Sequence, residues 1–425
     1  MHYPDTWYSR TLRDDRVRPG LSGVEEADIV IVGGGLAGLT TALELSRAGQ
    51  RVIILEAEHV GFGASGRNGG IVSPAFSGGD EAIRARVGPE AAKTLHKLSI
   101  EGVERLRATI TDLKIDGAMI GQGLLSLRRF DRADDLKIHA DEFAREFGYE
   151  MQYLDRAALS DHLESKRYFH ALNDPQSFHI HPLNTLRGIA TEVERLGGRI
   201  FEASAVTEHS LSGPVKRVYT AAGTAEAPTV IFATGGYTGP LVPRLKRAIL
   251  PIATYLTMSE AAPDLLASAI RTTSSMYDDR RAGDYYRLVD GGNRLLWGGR
   301  ITTLAAKPDS IVRQLRSEMV GAFPQLEGLK IELAWSGLMG YARHLMPQLG
   351  EMAPGVWHIT AFGGHGLNTT AIAGKVLAEA MLGETDRIRM FAPFGLDWAG
   401  GALGLAAAQL TYWSLQAQDW WRERA

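Results

Sequence analysis

Three stretches of this sequence combine residue types and spacings suited to chemistry. In the first, Gly33-Gly34-Gly35-Leu36-Ala37-Gly38 supplies G-x-G-x-x-G directly after the apolar run Asp28-Ile29-Val30-Ile31-Val32. Gly33 permits a tight turn, Gly35 removes a side chain that would block a pyrophosphate, and Gly38 lets a helix pack closely on the strand. Glu56 closes the next apolar run, Arg51-Val52-Ile53-Ile54-Leu55. It lies about 20 residues past the glycines, where a carboxylate accepts from ribose hydroxyls and argues against a 2′-phosphate. Strand, glycine loop, helix, second strand and terminal acid together point to a bound dinucleotide. Glu56 suits the adenosine ribose of either NAD or FAD. The second stretch, Gly61-Phe62-Gly63-Ala64-Ser65-Gly66-Arg67-Asn68-Gly69-Gly70, is too rich in glycine for regular structure. It lets backbone N–H groups approach a ligand from several sides, and Arg67 and Asn68 add a fixed charge and an amide. The third, Ala361-Phe362-Gly363-Gly364-His365-Gly366, leads into a helix whose first N–H groups could face an anionic ring. His365 reads either as a proton-abstracting base or as a residue that shapes the turn and hydrogen-bonds the cofactor. A histidine between two glycines fits the second reading better.

The elements that must position these groups alternate between strand and helix. Strands at 28–32 and 51–55 flank a helix over 36–48, which Gly49 stops and which aims its positive end at the phosphates. Amphipathic spacing predicts a helix over 89–113, begun at Pro89, then a strand at 123–127 and charged helices over 133–147 and 156–163. This segment is inserted into the nucleotide fold. The fold resumes with a helix over 182–196, strands at 199–201 and 204–206, and a buried strand at 229–234 running into Gly235-Gly236. Strands at 253–257, 285–289 and 294–299, the last two joined by a hairpin turn at Asp290-Gly291-Gly292-Asn293, predict an antiparallel wall over the cofactor. A helix over 310–323, a strand ending at Trp335-Ser336-Gly337, a strand at 356–360 and a helix over 367–382 complete the body.

Composition narrows the partners. The 425 residues are 45% hydrophobic and 22% charged, enough for a large core and two domains. A formal net charge of -3 without a sustained basic run argues against nucleic acid and for a small molecule. With no cysteine there is no disulfide, thiolate nucleophile, cysteine-ligated metal or cysteinyl cofactor link, and no metal site is expected. A reducing, cytoplasmic location fits. No signal-like apolar segment opens the chain, and no stretch reaches the ~20 apolar residues of a membrane helix. The tail beyond Phe391 carries Trp398, Trp413, Trp420 and Trp421. Packing on the parent domain is the expected role, with contact to a membrane surface or a protein partner as the other reading.

In this order the pieces resemble the FAD-dependent oxidoreductase family of D-amino-acid oxidase, glycine oxidase and sarcosine oxidase. The 61–70 loop, Trp335-Ser336-Gly337, Gly364-His365-Gly366 and Leu295-Leu296-Trp297-Gly298-Gly299-Arg300 are most similar to the gamma-glutamylputrescine oxidase branch. The resemblance decides for FAD over NAD. It implies an α/β (α+β) fold, with a Rossmann-like FAD-binding domain of the glutathione-reductase type and an inserted antiparallel-sheet substrate domain. The expected division is an arm at 1–26, FAD-binding segments at 27–80, 168–245 and 336–390, substrate-domain segments at 81–167 and 246–335, and a Trp-rich extension at 391–425. By resemblance, the Gly33 loop with Leu36 and Ala37, and Glu56 with Ala57, hold the ADP half. Ser65, Arg67, Asn68 and Gly69 lie beside the flavin, and the Val206 backbone meets adenine. Ala233, Gly235 and Gly236 close around the phosphates, and Gly363, Gly364, His365, Gly366, Leu367 and Thr369 face the pyrimidine edge.

The chemistry this implies is oxidation of an amine C–N bond by hydride transfer to flavin N5. The imine is then hydrolysed, and O2 reoxidises the flavin to give H2O2. Alternatives are a dehydrogenase passing electrons to a quinone or carrier protein, and a flavin-binding subunit without turnover. His365, Tyr255, Tyr286 and Trp335 are the catalytic and wall candidates, with Tyr285 beside them. Two departures from the amino-acid oxidases point to an amine or polyamine derivative. Met339 stands where those enzymes often place an arginine for the substrate carboxylate, and Asn368 where sarcosine oxidase has a lysine. Arg343 or Arg287 is the replacement cation to look for. The loop also lacks the histidine used for flavin attachment in dimethylglycine-type relatives, so non-covalent FAD is expected.

Overall fold

A computed structural model describes residues 2–280, 283–303 and 308–423. The nucleotide half rests on a six-stranded sheet in the order Gln348–Ala353, Val356–Thr360, Thr229–Phe232, Ile29–Val32, Val52–Leu55, Arg199–Phe201. Its neighbours are parallel, except that the Gln348–Ala353 edge runs antiparallel to Val356–Thr360. Ile29–Val32 and Val52–Leu55 are buried at every position, as strands covered on both faces must be.

The two faces are covered differently. Ile29, Ile31, Val52 and Ile54 pack under the helices Leu36–Arg47, Gly366–Leu382 and Pro89–Asp112. Small residues allow these helices to approach closely: a Cβ at Gly374 would lie 2.6 Å from Thr40 Oγ1, and one at Gly102 would lie 2.3 Å from the Asn368 carbonyl oxygen. Val30, Val32, Ile53 and Leu55 face a four-stranded sheet ordered Gly23–Glu26, Gly223–Ala227, Lys216–Tyr219, Glu208–Ser210.

A nine-stranded, mostly antiparallel sheet forms the other half. The run from one edge, Ile331–Tyr341, Leu250–Ser259, Arg294–Thr302, Tyr285–Val289, includes the expected hairpin at 290–293. The short strand Ile71–Val72, at the end of the 61–70 loop, pairs with His170–Ile180 and joins this sheet to the nucleotide half.

Several expectations are corrected. Residues 204–206 are not a strand, because Ser204 Oγ accepts from the Leu21 N–H and donates to the Glu202 carbonyl, and Ala203 has a φ of 50°. The helix expected over 156–163 is the single turn Arg156–Leu159. Trp335-Ser336-Gly337 does not end a strand but lies inside Ile331–Tyr341. The strand His170–Ile180 is an addition to the expected elements. Nor do the tail tryptophans pack on the parent domain as expected. The helix Gly401–Arg422 turns Gln409, Tyr412 and Asp419 inward and leaves Trp413 51% and Trp421 70% exposed. No helix among the described residues is long and apolar enough to cross a membrane.

Candidate active site

One cavity of about 1080 Å³ receives all three glycine-rich stretches. At one end the Leu36–Arg47 helix begins after Gly35, and no side chain caps it from that residue. The Ser65 hydroxyl accepts from the Leu36 N–H at 3.0 Å. At the other side the Gly366–Leu382 helix begins after His365, again without a side-chain cap. Two open helix N-termini facing one cavity are sites for anionic groups of a ligand.

Glu56 sits between the first helix and the sheet edge. Its Oε2 accepts from the Gly34 N–H at 2.7 Å and its Oε1 from the Glu58 N–H at 3.0 Å. Burial pushes its pKa up, and the two N–H groups oppose that. Each oxygen keeps a lone pair for a ribose hydroxyl. Gly33 has a φ of +114° and its Cβ would lie 2.7 Å from the Ala233 carbonyl oxygen, so only glycine fits there.

The 61–70 loop is held from three sides. Arg67 donates through Nη1 to the Ser336 carbonyl at 3.0 Å and through Nη2 to Tyr237 Oη at 2.8 Å. Burial pulls its pKa down. Trp335 Nε1 donates to the Arg67 carbonyl at 3.0 Å, and Tyr8 Oη, from the N-terminal residues, donates to the Asn68 carbonyl at 2.8 Å. Ser77 Oγ accepts from the Gly364 N–H at 2.7 Å and fixes the turn before His365. His365 itself is half-buried, and desolvation pulls its pKa down, so the imidazole is neutral at pH 7.

Among the cofactor candidates, Gly33, Gly35, Leu36, Ala37, Glu56 and Ala57 line the cavity. So do Ser65, Arg67, Asn68, Gly69, Val206, Ala233 and Gly235, and the run from Gly363 to Leu367. Gly38 does not, because it faces inward: its Cβ would lie 2.0 Å from the Gly33 carbonyl oxygen. Thr369 does not either, as its hydroxyl turns back to the His365 carbonyl, and Thr370 lines the cavity instead.

The aromatic candidates are mostly displaced by strand alternation, which sends successive side chains to opposite faces. Thr254 and Tyr285 line the cavity, whereas Tyr255 and Tyr286 point into the opposite core. There Tyr286 stacks on Trp297 at 4.1 Å. Trp335 is buried against Tyr8 and donates to the loop at the Arg67 carbonyl. Neither replacement cation is found at the cavity. Arg287 is buried and donates to His179, Tyr8 and the Ile180 carbonyl, and Arg343 is exposed. Met339 is in the wall, while Asn368 is not, its amide donating to the Ala75 and Ser99 carbonyls.

The sequence reading missed Phe62, Tyr237, Tyr341, Asp278, Arg280, Asp284 and Arg300, which also line the cavity. The only sequence signal was adjacency: Tyr237 follows Gly235-Gly236, Asp284 precedes Tyr285, and Arg300 follows Gly298-Gly299. Among the described residues no group of His, Asp and Glu is arranged to hold a metal ion.

Comparison with known proteins agrees with this geometry. Residues 28–380 match the family described as FAD dependent oxidoreductase. The chain is 35% identical over 367 residues to gamma-glutamylputrescine oxidoreductase of Escherichia coli K12, covering 86% of each chain. It is 34% identical over 398 residues to a probable oxidoreductase, OrdL, of Haemophilus influenzae, covering 91% of this chain and 90% of that one. The crystal structure of glycine oxidase from Geobacillus kaustophilus superposes with a TM-score of 0.73 at 23% identity, covering 88% of this chain and 99% of that one. The glycine cradle, the acid at the second strand and the two open helix N-termini fit FAD, and the chain belongs to the FAD-dependent oxidoreductase family, as an FAD-dependent amine or amino-acid oxidoreductase.

Proposed function

We propose that this enzyme oxidises the C–N bond of an amine or polyamine derivative, of the kind named in its gamma-glutamylputrescine relative, with O2 as final acceptor. The observation that carries this reading is Met339 in the cavity wall, with no replacement arginine from position 287 or 343. The arginines that do line the cavity are already engaged, Arg67 with the Ser336 carbonyl and Tyr237, Arg280 with Asp278, Asp284 and Glu318, and Arg300 with Glu318, so a carboxylate next to the reacting carbon has no arginine of its own. For a primary amine the balanced reaction consumes one amine, one O2 and one water and releases an aldehyde, ammonia and hydrogen peroxide.

Bound FAD supplies the two-electron oxidant. The chain's own residues position and tune it. Glu56 and the Gly33–Gly38 loop hold the nucleotide, and the N–H groups at Gly366 and Leu367, with the helix behind them, favour negative charge at the ring edge. A free alkylamine is mostly protonated at neutral pH, yet only its neutral form can be oxidised. Desolvation in this enclosed part of the cavity, beside the neutral His365, favours the neutral amine over the ammonium.

Anaerobic mixing with a panel of amines, followed at the flavin absorption band, tests the reading. Gamma-glutamylputrescine or a related amine is expected to bleach the flavin, and admitting air to restore colour with one peroxide per turnover. Faster bleaching by D-alanine, glycine or sarcosine would reject the substrate class. Recolouring without peroxide would reject the oxidase.

A further inference from the structure

We propose that the buried guanidinium of Arg287 is a counter-charge for the reduced cofactor, acting through the backbone of the 61–70 loop to raise the potential at which bound FAD takes up electrons. The inference needs FAD as cofactor but no particular substrate. Arg287 is 0% exposed. Its Nη1 donates to His179 Nδ1 at 2.7 Å, and its Nη2 donates to Tyr8 Oη at 3.1 Å and to the Ile180 carbonyl at 2.8 Å. Nε has no partner among the described residues.

All three acceptors are uncharged. Burial keeps the Tyr8 phenol protonated against the pull of Arg287, and burial and Arg287 together keep the His179 imidazole neutral. Among the described residues no carboxylate acts on these two rings or on the neighbouring His181. An enclosed guanidinium with only neutral partners costs more than an uncharged donor would, unless negative charge comes close to it.

That charge can come from the cavity. Gly70 lines the cavity, and a Cβ there, at φ +76°, would lie 2.6 Å from Arg287 Nη2. Gly70 therefore stands between the cation and the cofactor space. The Tyr8 hydroxyl that accepts from Arg287 donates to the Asn68 carbonyl at 2.8 Å, and Asn68 lines the cavity too. The helix Pro182–Arg195 begins two residues after Ile180 and brings the positive end of its dipole to this cluster. Arg67, in the cavity wall, has no carboxylate among the described residues either, since it donates to the Gly63 and Ser336 carbonyls and to Tyr237 Oη. Hydride uptake gives the ring two electrons and one proton, a net gain of one negative charge, and leaves the donor one charge more positive. Attraction between unit charges several ångströms apart inside a protein favours the reduced state by about tenfold or more.

The test reads the midpoint potential of the FAD-loaded enzyme by dithionite reduction against a reference dye, which requires no amine. Arg287→Gln should lower the ratio of reduced to oxidised FAD affinity about tenfold or more, a fall of about 30 mV or more for a two-electron couple. Arg287→Lys keeps a positive charge and should recover most of that fall. Tyr8→Phe removes a hydroxyl from the same cluster but leaves the guanidinium, and should change the ratio less than about twofold. An unchanged potential in Arg287→Gln, with or without weaker binding of oxidised FAD to the apoprotein, overturns the proposal. So does an equal fall in Arg287→Lys or in Tyr8→Phe, which would make the role of Arg287 one of packing. The wild-type potential is expected above that of free FAD in the same buffer, and a value at or below it overturns the proposal even if no variant folds.

Discussion

Two glycine-to-alanine substitutions separate packing from cofactor binding at the same turn. A Cβ at Gly38 would lie 2.0 Å from the Gly33 carbonyl oxygen and 3.4 Å from Ile31 Cγ2. The nearer atom is backbone, and ordinary contact needs over 1 Å more. Strand and helix must move apart, which overpacking in a tight core makes cost about 1–3 kcal/mol. At Gly35 the Cβ would meet only Ser65 Oγ, at 3.0 Å, the end of a side chain that can rotate. Gly35 also has φ −83° and ψ −173°, which alanine adopts without strain. Gly38→Ala should therefore lower the stability of the FAD-free protein by that ~1–3 kcal/mol, seen as a lower denaturant midpoint, whereas Gly35→Ala should cost under about 1 kcal/mol. The order reverses in an FAD titration followed by flavin fluorescence. Gly35→Ala puts a methyl into the cavity where the pyrophosphate is expected, and should weaken FAD at least about tenfold. Wild-type FAD affinity in Gly35→Ala, or an unchanged midpoint in FAD-free Gly38→Ala, would refute the assignment.

Acid should destabilise the fold early. His179 and His181 are held neutral down to about 3, and His358 to about 4, chiefly by burial. His179 accepts from Arg287 at Nδ1, and its Nε2–H donates to the Thr273 carbonyl. Below about 6.5 the unfolded chain protonates these rings while the folded chain does not, so each costs about 1.4 kcal/mol per pH unit. Asp284, raised to about 7, has the opposite sign and returns one such increment between pH 6 and 5. These four groups together lose about 3 kcal/mol over that unit, expected as a falling melting temperature, and a flat or rising one counts against the buried neutral histidines. His365→Asn should keep bound FAD and slow anaerobic flavin reduction by less than about tenfold, because its expected role is contact with the cofactor. A loss of 10²-fold or more would instead make His365 the general base. Acid precipitation should leave the pellet colourless and the yellow FAD in the supernatant, and colour retained on the polypeptide would show a covalent link.

Much of the nucleotide half was legible because its signals are local. Gly33, Gly35, Gly38 and Glu56 act within one strand–helix–strand unit, where apolar runs and glycine positions fix which atoms meet. Gly363 to Leu367 were legible for the same reason, since a strand, a turn and a helix follow one another there.

The nine-stranded half was less legible, because a strand's two faces look alike until its partners are known. Tyr285 and Tyr286 are adjacent and of one type, yet one lines the cavity and the other stacks on Trp297. Thr254 and Tyr255 divide in the same way. The sequence alone determined the dinucleotide cradle and the class of fold, since those depend on neighbours in the chain. Only the tertiary structure decided which side chains line the cavity and that Arg287 is spent on His179, Tyr8 and the Ile180 carbonyl. Those outcomes depend on sheet register and burial, which bring together residues far apart in sequence.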